Sequence, residues 1–470
     1  MNINNLLVTS LLLLAPSFAF GQEEIDENTA DDITVSDTTI MGIKVKQRSA
    51  GWDYYEPERG FYQKAYVDKG DPRFMISNED ETFQFGIGGR LRATAFCDFN
   101  GAVDHNRFST WDIAVPTDHA THFGVNVAST NIFFKSRLKL GKHKLISYIE
   151  LGSNEKSEVT IGKAYLSYAG LSIGKTYSFF MDLAAGVQTV DLRGPNTSVG
   201  RTHPLIGYSS FLGKHWVLDV AAENPDLEIG NHTALGIVSE HQSMPDFTTR
   251  VAYKGDWGHL QLSGLIRSLC YYSADEAFET FTASTPTSSK HELGFGVSLS
   301  GKIKFSPKFF FTFQSIYGKG IGQYINDFSG QKIDLVPTRA NSGTEKQYYK
   351  MRALPMYGGY VAAQYNITDK LVTSAVCGKL RADFHKVENM EWAKGNVFDY
   401  LSDIKTYDYR GSTYFAVNMF YHISNYCTFG AEYLHGIRSQ RERDASTMKL
   451  TGDTSHGHAN RIDMMFAYTF

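Results

Sequence analysis

The stretch Thr82–Phe99 reads TFQFGIGGRLRATAFCDF, and its pattern decides the fold class. One face carries Phe83, Phe85, Ile87, Gly89, Leu91, Ala93, Ala95, Cys97 and Phe99. The other carries Gln84, Gly86, Gly88, Arg90, Arg92, Thr94, Phe96 and Asp98, so every charge falls on it. A side-chain period of two is that of a β-strand. A strand of a soluble sandwich is usually roughly 5–6 residues long, and this alternation persists far beyond that. An apolar face opposite a charged one suits a strand held between lipid and a water-filled lumen.

The same alternation recurs along the chain. Lys135, Arg137 and Lys139 oppose Phe134, Leu138 and Leu140, and Trp216, Leu218, Val220 and Ala222 oppose Asp219 and Glu223. Leu260, Leu262, Gly264 and Ile266 oppose His259, Gln261 and Arg267, while Leu293, Phe295, Val297, Leu299 and Ile303 oppose Glu292, Ser298, Ser300 and Lys302. Some turns are very short (Gly255–Gly258, Ser306–Lys308). Others are long and polar: Ala274–Lys290, Ile325–Ala353 and His385–Arg410. Short periplasmic turns and long extracellular loops are the asymmetry of an outer-membrane barrel. The chain closes on RIDMMFAYTF, where Phe466, Tyr468 and Phe470 share a face and are read as the signal to the barrel-assembly machinery. The expectation is an all-β transmembrane antiparallel barrel of about sixteen strands over residues 81–470, wide enough for an aqueous channel.

Composition agrees. There are 27 Tyr, 32 Phe and 5 Trp against 12 Pro, with 42 Gly, and the net charge is -4. An aromatic-rich, Pro-poor chain leans towards β structure. The acidic balance sits in residues 22–50, so the body is neutral, which argues against a nucleic-acid partner. Met1–Gly21 has a short apolar core, Leu6–Leu14, and small residues before Gln22. It reads as a signal peptide that exports the chain to the envelope of a Gram-negative bacterium. Residues 22–80 read as an acidic, flexible periplasmic segment. Cys97, Cys270, Cys377 and Cys427 stand far apart within strand-like segments and are expected as small apolar residues.

A pore needs charged side chains in water at its narrow point, with an excess of bases favouring anions. Tyr177–Arg201, YSFFMDLAAGVQTVDLRGPNTSVGR, mixes apolar and charged residues and is the expected inward-folded constriction loop. Strand parity and this loop nominate Arg90, Arg92, Lys135, Arg137, Lys163, Arg201, Arg250, Arg267 and Arg381 as basic pore-lining residues. Asp98, Glu150, Asp182, Asp191, Glu223 and Glu432 are the acidic ones. Trp216, Trp257, Tyr253, Tyr468 and Phe470 are expected in interfacial belts. The His456-Gly-His458 pair lacks further ligands at metal spacing, and no catalytic motif stands in the right setting, so no cofactor, metal or catalytic residue is expected.

At these residues the chain resembles the DcaP-like trimeric porin family, related to porin O/P-type barrels. The resemblance spans most of residues 83–470. It is carried by Gly88–Phe99, Phe134–Leu138 (FKSRL), Tyr148–Gly152, Gly174–Asp182 (GKTYSFFMD), Gly194-Pro195-Asn196 and Arg201–Ser209. It continues through Pro245–Arg267, Gly318–Asn326 (GKGIGQYIN), Asp369–Arg381 and Gly430–Gly436 (GAEYLHG). Arg92 and Arg137 match family arginines. The resemblance implies a sixteen-stranded homotrimer for passive uptake of small hydrophilic solutes, often anions such as dicarboxylates. Further expected partners are outer-membrane lipid and lipopolysaccharide. The rivals are a phosphate-selective channel with a ladder of bases, a barrel phospholipase with Ser and His on the outer wall, and an adhesin acting through the long loops.

Overall fold

The computed structural model describes residues 35–40, 43–48, 74–103, 107–154, 158–229, 235–238, 243–339, 349–384, 408–443 and 450–470. Sixteen antiparallel strands form the wall. They are β1 (Phe83–Phe99), β2 (Asn131–Leu140), β3 (His143–Ser153), β4 (Val159–Tyr168), β5 (Leu171–Tyr177), β6 (Thr202–Leu212), β7 (Trp216–Glu223) and β8 (Asp246–Gly255). The others are β9 (Gly258–Ala274), β10 (Thr287–Lys304), β11 (Phe309–Lys319), β12 (Pro355–Asn366), β13 (Leu371–Ala382), β14 (Tyr409–His422), β15 (Cys427–Arg443) and β16 (Leu450–Thr469). Each pairs with its neighbour in sequence. The sheet closes where β16 meets β1, with Arg461 opposite Asp98 and Thr469 opposite Arg90. Closure leaves no open edge to lipid, where an unpaired backbone group is costly.

Parity sorts the side chains as the alternation predicts. On β1, Arg92, Thr94, Phe96 and Asp98 are buried towards the lumen and Leu91 is exposed outwards. The C-terminal residue is locked in place: Phe470 N–H donates to the Gly89 carbonyl and Gly89 N–H to that of Phe470, both at 2.9 Å. At the short-turn end Tyr253 packs with Trp216 and Trp257 at 4.9 and 6.2 Å between centroids, and Tyr468 with Phe470 at 6.0 Å. These are the residues expected to form interfacial belts. The four cysteines are free and lie in strands.

Residues 1–34, 49–73 and 385–407, which include the signal peptide and much of one long loop, lie outside the described residues. Within the N-terminal segment, Val35–Ile40 pairs with Ile43–Arg48, which pairs with Phe74–Ser77, which pairs with Gln84–Ile87 of β1. The β9–β10 connection is shorter than expected, because β9 runs to Ala274 and β10 begins at Thr287.

Ile325–Ala353 departs from its reading as an outward polar loop. The described part of the β11–β12 connection folds into the barrel, burying Tyr324, Ile325, Phe328, Ile333, Leu335 and Val336. There they meet Leu265, Leu269 and Tyr271 of β9, Phe180 and Val199 of the β5–β6 loop, and Ile229 and Leu235 of the β7–β8 loop. Seven apolar side chains between Ile321 and Val336 are too many to leave in water, and the lumen offers them a partner surface. The β1–β2 connection also turns inwards, placing Phe108 and Ile113 against Leu434 and Ala459.

Candidate pore and constriction

The β5–β6 loop folds inwards, as expected, and hydrogen bonds pin it to much of the wall. Phe179 N–H donates to Glu223 of β7 at 2.8 Å, and Arg250 of β8 donates to the Met181 carbonyl at 3.3 Å. Gln261 of β9 reaches the same carbonyl at 3.1 Å, and Gln314 of β11 the Thr197 carbonyl at 2.8 Å. Tyr360 of β12 donates to the Ala185 carbonyl at 2.9 Å. Ser374 of β13 and Asn418 of β14 both donate to the Gln188 carbonyl, at 3.2 and 2.9 Å. Asp191 N–H donates to Glu432 of β15 at 2.7 Å, and the Arg92 guanidinium of β1 to the Val190 carbonyl. On the other side Lys163 of β4 donates to the Tyr177 hydroxyl, where the loop begins, at 3.5 Å. The contacts made by residues 179–197 run from β7 round through β15 to β1, and β2–β4 form the wall across from them.

Small wall residues make room for the β5–β6 and β1–β2 loops. A Cβ on Gly378 of β13 would lie 2.5 Å from the Asn196 amide oxygen, and one on Gly457 of β16 would lie 1.9 Å from the Ala114 carbonyl. At Gly457 the neighbour is backbone and cannot give way, so a side chain is forbidden there; at Gly378 it is the Asn196 side chain.

Most predicted charges are inside the barrel, and several are spent on ion pairs within it. Arg250 pairs with Asp219, and Arg267 with Asp246 at 2.7 Å and Asp334 at 2.8 Å. Lys163 pairs with Glu150 at 2.7 Å while its ammonium lies over the Tyr177 and Tyr148 rings, 4.7 and 5.3 Å from their centroids. Asp182 accepts from Ser300 at 2.6 Å and meets the His259 ring at 3.0 Å. Burial raises the Asp182 carboxyl, but the His259 ring, Ser300 and the Ala185 N–H outweigh it and hold it below its usual range. Glu223 also accepts from Thr248 at 2.7 Å, and Arg201 donates to the Gln323 carbonyl at 3.0 Å. Lys135 is fully buried, and Arg90 and Arg137 are half-buried on the same inner wall. Buried charges of opposite sign must pair, since either alone costs several kcal/mol. The Arg267–Asp334 and His259–Asp182 contacts fasten loops to the wall, while Arg250–Asp219, Arg267–Asp246 and Lys163–Glu150 join neighbouring strands.

Arg381 is a correction. Leu380 and Ala382 of β13 point into the apolar lumen cluster, so Arg381 between them faces outwards. The parity guess slipped by one residue, which moves a side chain to the other face. Arg461 was missed. It forms a bidentate pair with Asp98 at 2.6 and 2.9 Å, and its parity with the outward Ile462 was the available signal. Asp219, Asp246 and Asp334 were likewise not nominated.

Three inward loops meet at Asp327. Thr110 of the β1–β2 loop donates its N–H at 2.9 Å and also its hydroxyl. Thr110 and Asn196 both reach Ser412 of β14, at 2.7 and 3.1 Å. Burial pushes the Asp327 carboxyl up to about 7, and burial likewise lifts Asp191 to about 6.

The porin subfamily model matches residues 82–408. No curated protein matches. The crystal structure of the outer membrane channel DcaP of Acinetobacter baumannii superposes with a TM-score of 0.62 at 18% identity, over 84% of this chain and 99% of that one. An anion-selective porin from Comamonas acidovorans gives 0.48 at 10% identity, over 83% and 100%. The in-vitro folded OmpT of Vibrio cholerae, in its trimer form, gives 0.47 at 10%, over 83% and 100%. With a closed sixteen-stranded wall, an inward constriction loop and the family match over most of its length, this chain belongs to the porin subfamily and is an outer-membrane porin for passive diffusion.

Proposed function

We propose that the channel favours small anions such as dicarboxylates and works as a homotrimer, without catalysis. One observation carries the preference. On β2–β4, opposite the constriction loop, the inward positions include Lys135, Arg137, Lys139, Lys144 and Lys163, with Glu150 the single acid among them. Lys139 and Lys144 are cross-strand partners beside the short β2–β3 turn, so the basic strip runs from the periplasmic mouth upwards. A strip of one sign beside a low-dielectric wall raises the local concentration of counter-ions. Across from it Arg250, Arg267 and Arg461 are each neutralised by an acid, so the excess of bases lies on the strip side. Arg90 and Arg92 on β1 extend it.

The trimer reading is supported by the low, apolar outer face of the same arc. Ile132, Ile149, Ile161, Leu166 and Ile173 are all exposed there. Passive diffusion needs no covalent step, which is why no catalytic role is assigned to any residue.

The test is planar-bilayer recording of the mature protein under a salt gradient. Reversal towards the anion Nernst potential is expected, with openings in groups of three. A reversal on the cation side would sink the anion preference, and single-step openings at every voltage would sink the trimer.

A further inference from the structure

The outer wall carries a cluster of bases near the long-loop ends of β11 and β13. On β11, Gly318 points inwards, so Lys319 and Tyr317 point out. On β12, Met356 lies in the lumen cluster, so Tyr357 points out. On β13, Lys379 and Arg381 point out on either side of the buried Leu380. Register brings these together. Tyr357 stands opposite Tyr317 on one side and Arg381 on the other, Lys319 stands opposite Pro355, and Lys379 opposite Gly359. Tyr357 thus has Arg381 directly opposite and Lys319 and Lys379 on its diagonals.

The surroundings form a recess. Gly359 and Ser315 flank Lys379 across β12 and β11, and Gly411 stands opposite Arg381 on β14. A Cβ on Gly411 would touch Arg381 Cγ at 2.9 Å, so the arginine stem lies across the glycine. Among the described residues neither Lys319, Lys379 nor Arg381 forms a salt bridge. The acid closest along the chain is Asp383, just beyond the end of β13, and counting it still leaves the cluster positive.

Height fixes what can occupy the recess. Below it the outer face of β13 is Leu371, Thr373, Ala375 and Cys377, which suits hydrocarbon. With about 3.3 Å per residue and a tilt of about 40°, Lys379 and Arg381 stand roughly 20 and 25 Å above Leu371. The apolar band of such barrels is about 25 Å tall, so the cluster sits at the outer headgroup level. An arginine, two lysines and two phenolic hydroxyls at that level match a phosphate on a lipid headgroup, with Arg381 offering paired N–H donors.

We propose that this recess is a specific site for a phosphorylated glycolipid of the outer leaflet, its phosphate held by Lys319, Lys379 and Arg381. The site lies on the outer wall and is independent of what passes through the lumen, so channel conductance serves as a separate control.

The experiment compares the mature protein with a Lys319→Gln, Lys379→Gln, Arg381→Gln variant, and with Lys379→Gln alone in case the triple variant does not fold. Native mass spectrometry from detergent reads binding of bis-phosphorylated lipid A, of its dephosphorylated form and of inorganic phosphate. Wild-type protein is expected to retain bis-phosphorylated lipid A at least tenfold more tightly than either variant, and more tightly than the dephosphorylated lipid. Heat-shifted gel mobility and conductance should be unchanged. Equal retention by wild type and variants would overturn the proposal, as would equal retention of the dephosphorylated lipid. Displacement by millimolar inorganic phosphate would make it a small-anion site instead. A change in subunit number without a change in lipid retention would make it a contact with a second copy.

Discussion

The wall is built to two heights. Strands β2 to β5 have 10, 11, 10 and 7 residues, whereas β9 and β10 have 17 and 18, and β14 to β16 have 14, 17 and 20. The tall arc supplies the anchors: Gln261, Ser300, Asn418 and Glu432 all bind the constriction loop, and Arg267 clamps Asp334 of the β11–β12 loop. The low arc supplies the basic strip and a stack of rings, Phe133 on Tyr148 at 5.4 Å and Tyr148 on Tyr165 at 5.2 Å. The difference teaches that one wall holds the plug and the opposite wall meets the solute. Variants in the two arcs should therefore fail in different ways.

The largest effect is expected on the tall side. Arg267→Met leaves Asp246 and Asp334 buried without their cation, which costs about 3–5 kcal/mol. The midpoint of heat-modified gel mobility should fall and the β11–β12 loop should become accessible to protease. An unchanged midpoint would mean that the clamp is dispensable.

Next, the double variant Asn418→Ala, Ser374→Ala removes both donors to the Gln188 carbonyl. A buried acceptor left without partners costs about 1–3 kcal/mol. Single-channel traces should become noisier with the mean selectivity kept, because the loop loosens while the basic strip remains. Quiet traces would show that other pins suffice.

The Asp327 junction should respond to pH. Its carboxyl is raised to about 7, so the packed state holds the proton more tightly than a released loop does. That contribution is full below the ordinary carboxylate value, about 4, and is lost as pH rises through about 7. Channel noise should therefore grow between pH 5 and pH 8, and Asp327→Asn should flatten the trend. A variant as pH-dependent as the wild type would locate the switch elsewhere.

The smallest effect belongs to the low side. Arg137→Ala should lower anion permeability and shift the reversal potential by several millivolts without changing stability. Arg92→Ala should do less to selectivity and more to noise, because Arg92 holds the Val190 carbonyl of the loop. Identical phenotypes would erase the distinction between the two arcs.

Much was legible in the residues. Alternation in Thr82–Phe99 and its repeats specifies strands, one lipid-facing side and the barrel, because the pleat sends successive side chains to opposite faces. The aromatic belt and the terminal Phe470 follow from the same pattern. The constriction loop was visible because Tyr177–Arg201 carries apolar residues that an outward loop would not. By that argument the β11–β12 connection was legible too, since Ile321, Tyr324, Ile325 and Phe328 give the same signal.

Charge was another matter. Parity says that Arg250, Arg267 and Lys163 point inwards, but whether a lumenal base meets solute or an acid depends on register across strands and on which loop arrives. Asp246 stands 21 positions from Arg267, and Asp334 stands 67. Arg461 meets Asp98 across 363 positions, because the last strand closes on the first. A local pattern determines which face a side chain takes. Only closure and the inward loops decide its partner, because those contacts join segments whose separation along the chain carries no periodic signal.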